Sequence, residues 1–273
     1  MSDRMRLTIL GCGSSPGVPR ITGDWGQCDP QNPKNRRRRA AAMVERVSPS
    51  GVTRVVIDTG PDFREQMLAA EVRRLDAAVF THPHADHIHG IDDLRGFVLE
   101  QQRMMDVYAD RPTIARIDDA FGYCFKTPAG SSYPPMLTAK VIEHGATFTI
   151  TGEGGPIVFE ALPQLHGDIV SLGFRIGKLA YCADVSGFPE ATAARLAGLD
   201  WLVIDALQYR RHPSHLSLGE ALEWIDRLDP KHAVLTHMHI PLDYDAVSRA
   251  TPDNVEPAYD GMVIEFDADE MDA

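Results

Sequence analysis

The chain has 273 residues, 44% apolar and 24% charged, which is long enough to bury a large core and has the make-up of a soluble globule. A formal net charge of −12 opposes nonspecific attraction to nucleic acid or an anionic membrane. No apolar run approaches the ~20 residues that span a bilayer. Nothing at the N-terminus resembles a signal peptide, and four cysteines without paired spacing fit a reducing cytoplasm.

Residues 6–10 read as a first strand, running into Gly11-Cys-Gly-Ser-Ser-Pro-Gly-Val-Pro19, a loop suited to tight turns and close backbone approach. It lacks the Lys-Ser/Thr ending of a nucleotide P-loop and reads as a site rim. Residues 20–38 are polar and end in the basic run Arg36–Arg39, read as a solvated loop end or as an anchor for substrate phosphate. Residues 40–47 and 53–58 read as paired strands joined at Ser48-Pro-Ser-Gly51. Asp58 falls where a strand ends, a place for a turn carboxylate or for a carboxylate supporting a metal-bound histidine or water. Residues 62–71 read as a short helix.

An apolar run, residues 77–80, reads as a buried strand ending at Thr81. Four potential metal ligands follow: His82, His84, Asp86 and His87. Pro83 fixes its own φ and lacks an N–H, so this is a shaped loop and not more strand. His82 and His84, two apart in an extended loop, project the same way. Asp86 and His87 are adjacent, are expected to point apart, and suit a second ion. Of 11 histidines, four fall between positions 82 and 89, a density that a chance polar loop does not explain. Imidazole with carboxylate suits zinc, manganese or iron, and the absence of nearby cysteine argues against a thiolate-rich site.

A helix is expected from residue 91, a strand over 106–109, a helix over 113–125, and a proline-rich loop over 127–135 that could overhang the site. In the second half, residues 156–162, 170–176 and 178–183 read as strands, 190–197 as a helix and 201–205 as a strand ending at Asp205. Ser217-Leu-Gly-Glu220 is a capping box opening an amphipathic helix through residue 228. Residues 233–236 read as another buried strand. The acidic tail, residues 265–272, is expected to fray. No internal sequence repeat is evident. A two-metal site needs further ligands at strand ends, and His166, Asp184 and His237 qualify. His237 repeats the apolar-strand–Thr–His setting of Thr81-His82. His89 and His239 sit beyond such positions and read as structural or supporting groups.

The stretch His82-x-His84-x-Asp86-His87 resembles the signature of the metallo-β-lactamase superfamily, and the similarity of order and setting covers nearly the whole chain. The resemblance implies an α/β fold, a four-layer αββα sandwich, with residues 1–273 forming one domain. By that match, two divalent ions, zinc or manganese, are held: one by His82, His84 and His166, the other by Asp86, His87 and His237, with Asp184 bridging. Such a pair carries a hydroxide between the ions and stabilises charge at an attacked phosphorus. Asp58 and Asp205 are expected to support the ligands.

The Gly11–Pro19 loop, the Thr81–His87 stretch and Arg211-His-Pro-Ser-His215-Leu-Ser are most similar to the branch that opens phosphoribosyl 1,2-cyclic phosphate, whose relatives cleave 2′,3′-cyclic nucleotides. His215 matches that branch's extra catalytic histidine, placed to protonate a leaving oxygen or stabilise charge on phosphate, with Asp86 in the reacting set. As a helix-start residue beside the capping box it also has an ordinary structural reading. That branch carries clustered cysteines for a structural zinc near the N-terminus. Only Cys28 occupies the region here, so no such site is expected. The implied partner is a small phosphodiester or nucleotide, without membrane or nucleic acid, and a homodimer is left open. The alternatives are an endoribonuclease of the tRNA 3′-processing type and a non-hydrolytic metal- or nucleotide-binding role, as in coenzyme-biosynthesis relatives.

Overall fold

The computed structural model describes residues 3–267. The first half supplies β1 (Arg4–Gly11), β2 (Ala41–Ser48), β3 (Gly51–Ile57), α1 (Phe63–Ala69), β4 (Ala77–Val79), α2 (Ala85–Ile88), α3 (Leu94–Gln101), β5 (Met105–Ala109), α4 (Arg111–Phe121) and β6 (Leu137–Val141). The second supplies β7 (Thr147–Gly152), β8 (Gly155–His166), β9 (Ile169–Ile176), β10 (Leu179–Cys182), α5 (Glu190–Leu196), β11 (Trp201–Asp205), α6 (Leu218–Leu228), β12 (His232–Thr236), α7 (Tyr244–Ala250), β13 (Val255–Pro257) and β14 (Val263–Asp267).

Among the described residues these strands form two seven-stranded sheets, ordered β14-β1-β2-β3-β4-β5-β6 and β13-β12-β11-β10-β9-β8-β7. Both halves are wound alike. Strands β1 to β3 pair antiparallel and β3 to β6 parallel. Strands β7 to β10 pair antiparallel and β10 to β13 parallel. The repeat is one of topology, which the residues themselves do not carry.

Alternation along the strands decides the layers. Leu7, Ile9, Val44, Val55 and Ile57 of the first sheet belong to one buried cluster with Ile157, Phe159, Phe174, Leu202 and Ile204 of the second. The alternate residues Leu10, Met43 and Val56 join a separate cluster with Phe63, Met67, Leu94 and Ile117 of α1, α3 and α4. On the second sheet, Leu196, Ile225 and Val247 bring α5, α6 and α7 to the core. The result is helices, sheet, sheet, helices, the αββα sandwich expected from the sequence.

The capping box of α6 forms as read. The Glu220 N–H donates to Ser217 Oγ at 3.3 Å, and the Ser217 N–H donates to Glu220 Oε2 at 3.0 Å. Buried Leu218, Ala221, Ile225 and Leu228 then mark one helix face. Other elements differ from expectation. The helix expected from residue 91 begins with a short tight turn, Ile91–Asp93, before α3. Strands β6 and β7 have mixed, partly exposed patterns at sheet edges, where alternation is a weak signal. The start of the acidic tail, Glu265–Asp267, is in β14 and pairs with β1; residues 268–272 lie outside the described residues. The loop 127–135 lines a cavity of about 170 Å³ with Arg95 and Tyr123. No helix among the described residues is long and apolar enough to cross a membrane.

Candidate metal centre

The chemistry gathers where β3, β4, β8, β10, β11 and β12 end, since a sheet presents the residues at its strand ends along one edge. Asp58 follows β3, His82 follows β4, His166 closes β8, Asp184 follows β10, Asp205 closes β11 and His237 follows β12. Three of these, Asp58, Asp184 and His237, have φ of 64°, 55° and 58°. Left-handed backbone at a residue with a β-carbon costs of order 1–3 kcal/mol, and such residues cluster where a chain turns a side chain into a site. The loop after β3 is tied to the metal loop by Thr59 N–H to His87 O at 2.8 Å and Gly90 N–H to Thr59 O at 2.7 Å.

His82 Nε2 lies 3.0 Å from His84 Nδ1, which lies 3.2 Å from His166 Nε2. Three ring nitrogens thus converge on one point. Asp86 and His87 do not point apart. Residues 85–88 form the short helix α2, and the turn brings Asp86 Oδ2 to 3.4 Å from His87 Nε2. Asp86, His87 and His237 form a second convergent group. Asp184 stands between the two. Its Oδ1 is 3.8 Å from both His82 Nε2 and His166 Nε2, and its Oδ2 is 3.3 Å from both His87 Nε2 and His237 Nε2.

The surrounding hydrogen bonds choose the tautomers. The buried Thr81 hydroxyl donates to Asp58 Oδ2 at 2.8 Å, so it accepts from His82 Nδ1–H at 2.9 Å. His87 Nδ1–H donates to the same Asp58 oxygen at 2.7 Å, and His166 Nδ1–H donates to Ser214 O at 2.7 Å. In the rings of His82 and His166 the other nitrogen, Nε2, is left as a lone pair facing the centre, and His87 Nε2 faces it as well. His87 Nε2, His237 Nε2 and Asp184 Oδ2 are buried without a hydrogen-bond partner. Unpaired buried polar atoms are costly, and a cation is what this set of lone pairs and carboxylates would satisfy.

Burial and the neighbouring His87 push the His82 pKa well below its ordinary value, and burial brings His237 down to about 3. Both rings are thus neutral, as ligands must be. Burial opposes the charge on Asp184, yet His237 and His87 hold its carboxyl well below the usual range. Burial likewise opposes charge on His87, but Asp184 and Asp58 outweigh it and raise that pKa well above normal. The carboxylates hold a proton on His87 that a metal ion would displace. The residues therefore fit one divalent ion at His82, His84 and His166, and another at Asp86, His87 and His237.

His215 lies alongside. Its ring stacks on His237 at 4.6 Å and meets His166 edge-on at 4.7 Å. Its Nδ1–H donates to Asp205 Oδ2 at 2.6 Å, and Asp205 is fixed in turn by the Val185 N–H at 3.0 Å. Burial pushes the Asp205 carboxyl up to about 7. Burial works against the His215 imidazolium, and the Asp205 hydrogen bond overcomes it, so the His215 pKa is raised.

All ten residues singled out in the sequence as ligands, catalytic groups or supports are thus brought together. The basic run is not at the centre as a unit. Arg37 is buried and donates to Asn35 Oδ1 at 3.2 Å, Arg38 pairs with Asp260 at 3.0 Å, and Arg39 pairs with Asp62 at 2.7 Å. Arg36 stacks on Trp25 with its guanidinium 5.3 Å from the ring centre. His89 packs on Phe121. Sequence reasoning missed Thr81, whose hydroxyl orients His82, and Ser14, which bonds His239; no spacing rule marks either.

Residues 53–238 match the model of the β-lactamase superfamily domain. A crystal structure described as a new diphosphatase from the PhnP family superposes with a TM-score of 0.86 at 34% identity, covering 96% of this chain and 97% of that one. Zinc-bound PqqB from Methylobacterium extorquens superposes at 0.72 with 18% identity over 95% of this chain and 99% of its own, a likeness of fold. An octanoyltransferase from Porphyromonas gingivalis is 31% identical over 94% of this chain, which spans about half of that protein's length, 51%. Ribonuclease Z from Bradyrhizobium diazoefficiens is 25% identical over 76% of this chain and 85% of its own. The family model and the 34% identity carried across the full length show that the chain belongs to the metallo-β-lactamase superfamily, in its PhnP family.

Proposed function

We propose that the chain is a dinuclear metal-dependent hydrolase of a small phosphodiester, a cyclic ribose or nucleotide phosphate, with His215 serving the leaving group. The observation that carries this reading is Asp184, whose two oxygens face two separate sets of imidazole nitrogens. Zinc or manganese suits such a mixture of imidazole and carboxylate. Bound there, divalent ions supply Lewis-acid charge to phosphoryl oxygens and make water a competent nucleophile near neutral pH.

The chain's own residues do the rest. Asp58 fixes the rings of His82, through Thr81, and of His87. Asp184 and Asp86 bring the negative charge that retains two cations. Asp205 holds Nδ1–H of His215, so Nε2 is the atom that passes a proton to the departing oxygen. The rings of His166 and His237 on either side of His215 keep that nitrogen beside the reacting phosphorus. A second reading is cleavage of a phosphoanhydride in a diphosphate. It is favoured by the PhnP-family neighbour described as a diphosphatase, and it uses the same groups in the same roles.

The test is turnover of bis(p-nitrophenyl) phosphate, 2′,3′-cyclic nucleotides, ADP-ribose and a precursor tRNA by protein reconstituted with Zn²⁺ or Mn²⁺. Cyclic-diester cleavage that outpaces the others supports the first reading. Preference for ADP-ribose moves the reaction to the anhydride, and preference for tRNA moves it to a polymer. Two bound metals with no turnover of any substrate would leave a binding role, as in coenzyme-biosynthesis relatives.

A further inference from the structure

Three residues outside the metal centre form a hydrogen-bonded chain that the roles above do not use. Ser14 Oγ lies 2.8 Å from His239 Nδ1, and Arg20 Nη2 lies 2.6 Å from His239 Nε2. A guanidinium only donates, so Nε2 of His239 accepts. The ring proton is then on Nδ1, and that N–H donates to Ser14 Oγ. Ser14 therefore holds its own hydroxyl proton ready to donate, and no hydrogen bond among the described residues takes it. This hydroxyl belongs to a residue only 2% exposed.

Position makes the arrangement informative. The Gly-rich loop is laced to the strand exit that carries His237. Met238 N–H donates to Cys12 O at 2.8 Å, and Ser14 N–H donates to Met238 O at 3.3 Å. Met238 lies between the metal-centre residue His237 and His239. His239 N–H is itself anchored to Leu207 O at 2.9 Å, two residues beyond Asp205. The Ser14 hydroxyl and the Arg20 guanidinium are thus tied to the short turn that follows His237. Arg20 is partly open, with its side chain 43% exposed, and its carboxylate neighbour, Asp24, is at 3.4 Å. Its remaining N–H groups have no hydrogen-bond partner among the described residues. A buried hydroxyl donor and a half-open guanidinium, held by the two nitrogens of one ring, suit the oxygens of an anionic group such as a phosphate.

We infer that Ser14 and Arg20 contact substrate, donating to phosphate oxygens on the His237 side, and that His239 is a positioning residue holding both. This rests on the phosphoester reading above. It also assigns the Gly11–Pro19 loop its part, since the loop's close approach to residues 237–239 is what places Ser14.

The test titrates the metal-loaded protein with inorganic phosphate at equilibrium, in parallel with bis(p-nitrophenyl) phosphate kinetics, for Ser14→Ala, Arg20→Ala, His239→Leu and His239→Gln. Melting curves confirm folding. Loss of a charge-assisted contact raises the phosphate Kd and the KM of Arg20→Ala about tenfold, so kcat/KM falls chiefly through KM. Ser14→Ala shifts the same constants by about threefold to tenfold. His239→Leu reproduces the loss. His239→Gln restores binding, because an amide offers one donor to Ser14 and one acceptor to Arg20, whereas a purely space-filling role would be served equally by Leu. Unchanged phosphate affinity in Ser14→Ala and Arg20→Ala, or no phosphate binding by the wild type, overturns the inference. Phosphate binding that depends on these residues in a protein that cleaves no diester upholds it and overturns the proposed reaction instead.

Discussion

Asp58 shows how much one side chain can decide. Fully buried at the end of β3, it receives Thr81 N–H and Thr81 Oγ–H as well as His87 Nδ1–H. It thereby sets two rings, one in each convergent group. Removing such a supporting carboxylate weakens metal binding about 10- to 100-fold, so Asp58→Ala, titrated against a competing chelator, should lose zinc affinity by that factor. Asp184→Ala acts differently. It removes the oxygens facing both groups, and the metal content measured on the purified variant should fall at both. His215→Ala separates chemistry from assembly. Its metal content should match the wild type, while kcat on bis(p-nitrophenyl) phosphate falls by about 10²- to 10⁴-fold, the usual worth of a positioned acid or base. Loss of metal with the His215 side chain would show that it is a ligand. The metal loop was legible in the sequence because its ligand types crowd into six positions. His166, Asp184 and His237 were legible as residues at strand ends. Ser14, Thr81 and the carbonyl of Ser214 were not, because their roles depend on contacts 225, 1 and 48 residues along the chain that hydrogen-bond geometry alone reveals.

The elements explain why these side chains meet. Parallel strands β4, β11 and β12 are short and buried along most of their length, so their polar residues occur where the strand stops. That is why apolar-run endings pointed to Asp205, His82 and His237. The same logic failed for β6, β7 and β13, edge or near-edge strands with mixed exposure. It also misjudged α2. A proline and four polar residues suggested an extended loop, yet a single helical turn brings Asp86 back over His87. Two stability tests belong here. Ser217→Ala removes the cap of α6, just after His215, and should cost about 1 kcal/mol in a denaturant titration. Phe159→Ala empties a site between the sheets, where Phe159 meets Phe148 at 5.4 Å and Phe174 at 6.1 Å. It should cost about 3–5 kcal/mol. A loss under 1 kcal/mol would mean the sheets do not pack through this residue.

Across the whole molecule, each half winds an antiparallel meander into a parallel segment, and the two sheets face each other through a shared core. Neither half completes the site. His82, His84, Asp86 and His87 come from the first, while His166, Asp184 and His237 come from the second. The candidate site therefore depends on the packing of the two sheets, and the topological repeat was invisible in sequence because it is carried by strand order and not by residue identity. The net charge of −12 is concentrated in no single role, yet it includes the carboxylates of this candidate cation site. The most direct test is a metal titration of stripped protein, following turnover of bis(p-nitrophenyl) phosphate against bound Zn²⁺ or Mn²⁺. Negligible turnover is expected without metal, with a rise that saturates at two ions per chain. Full turnover by the stripped protein, or saturation at a single ion with Asp184→Ala still active, would contradict the two-metal reading.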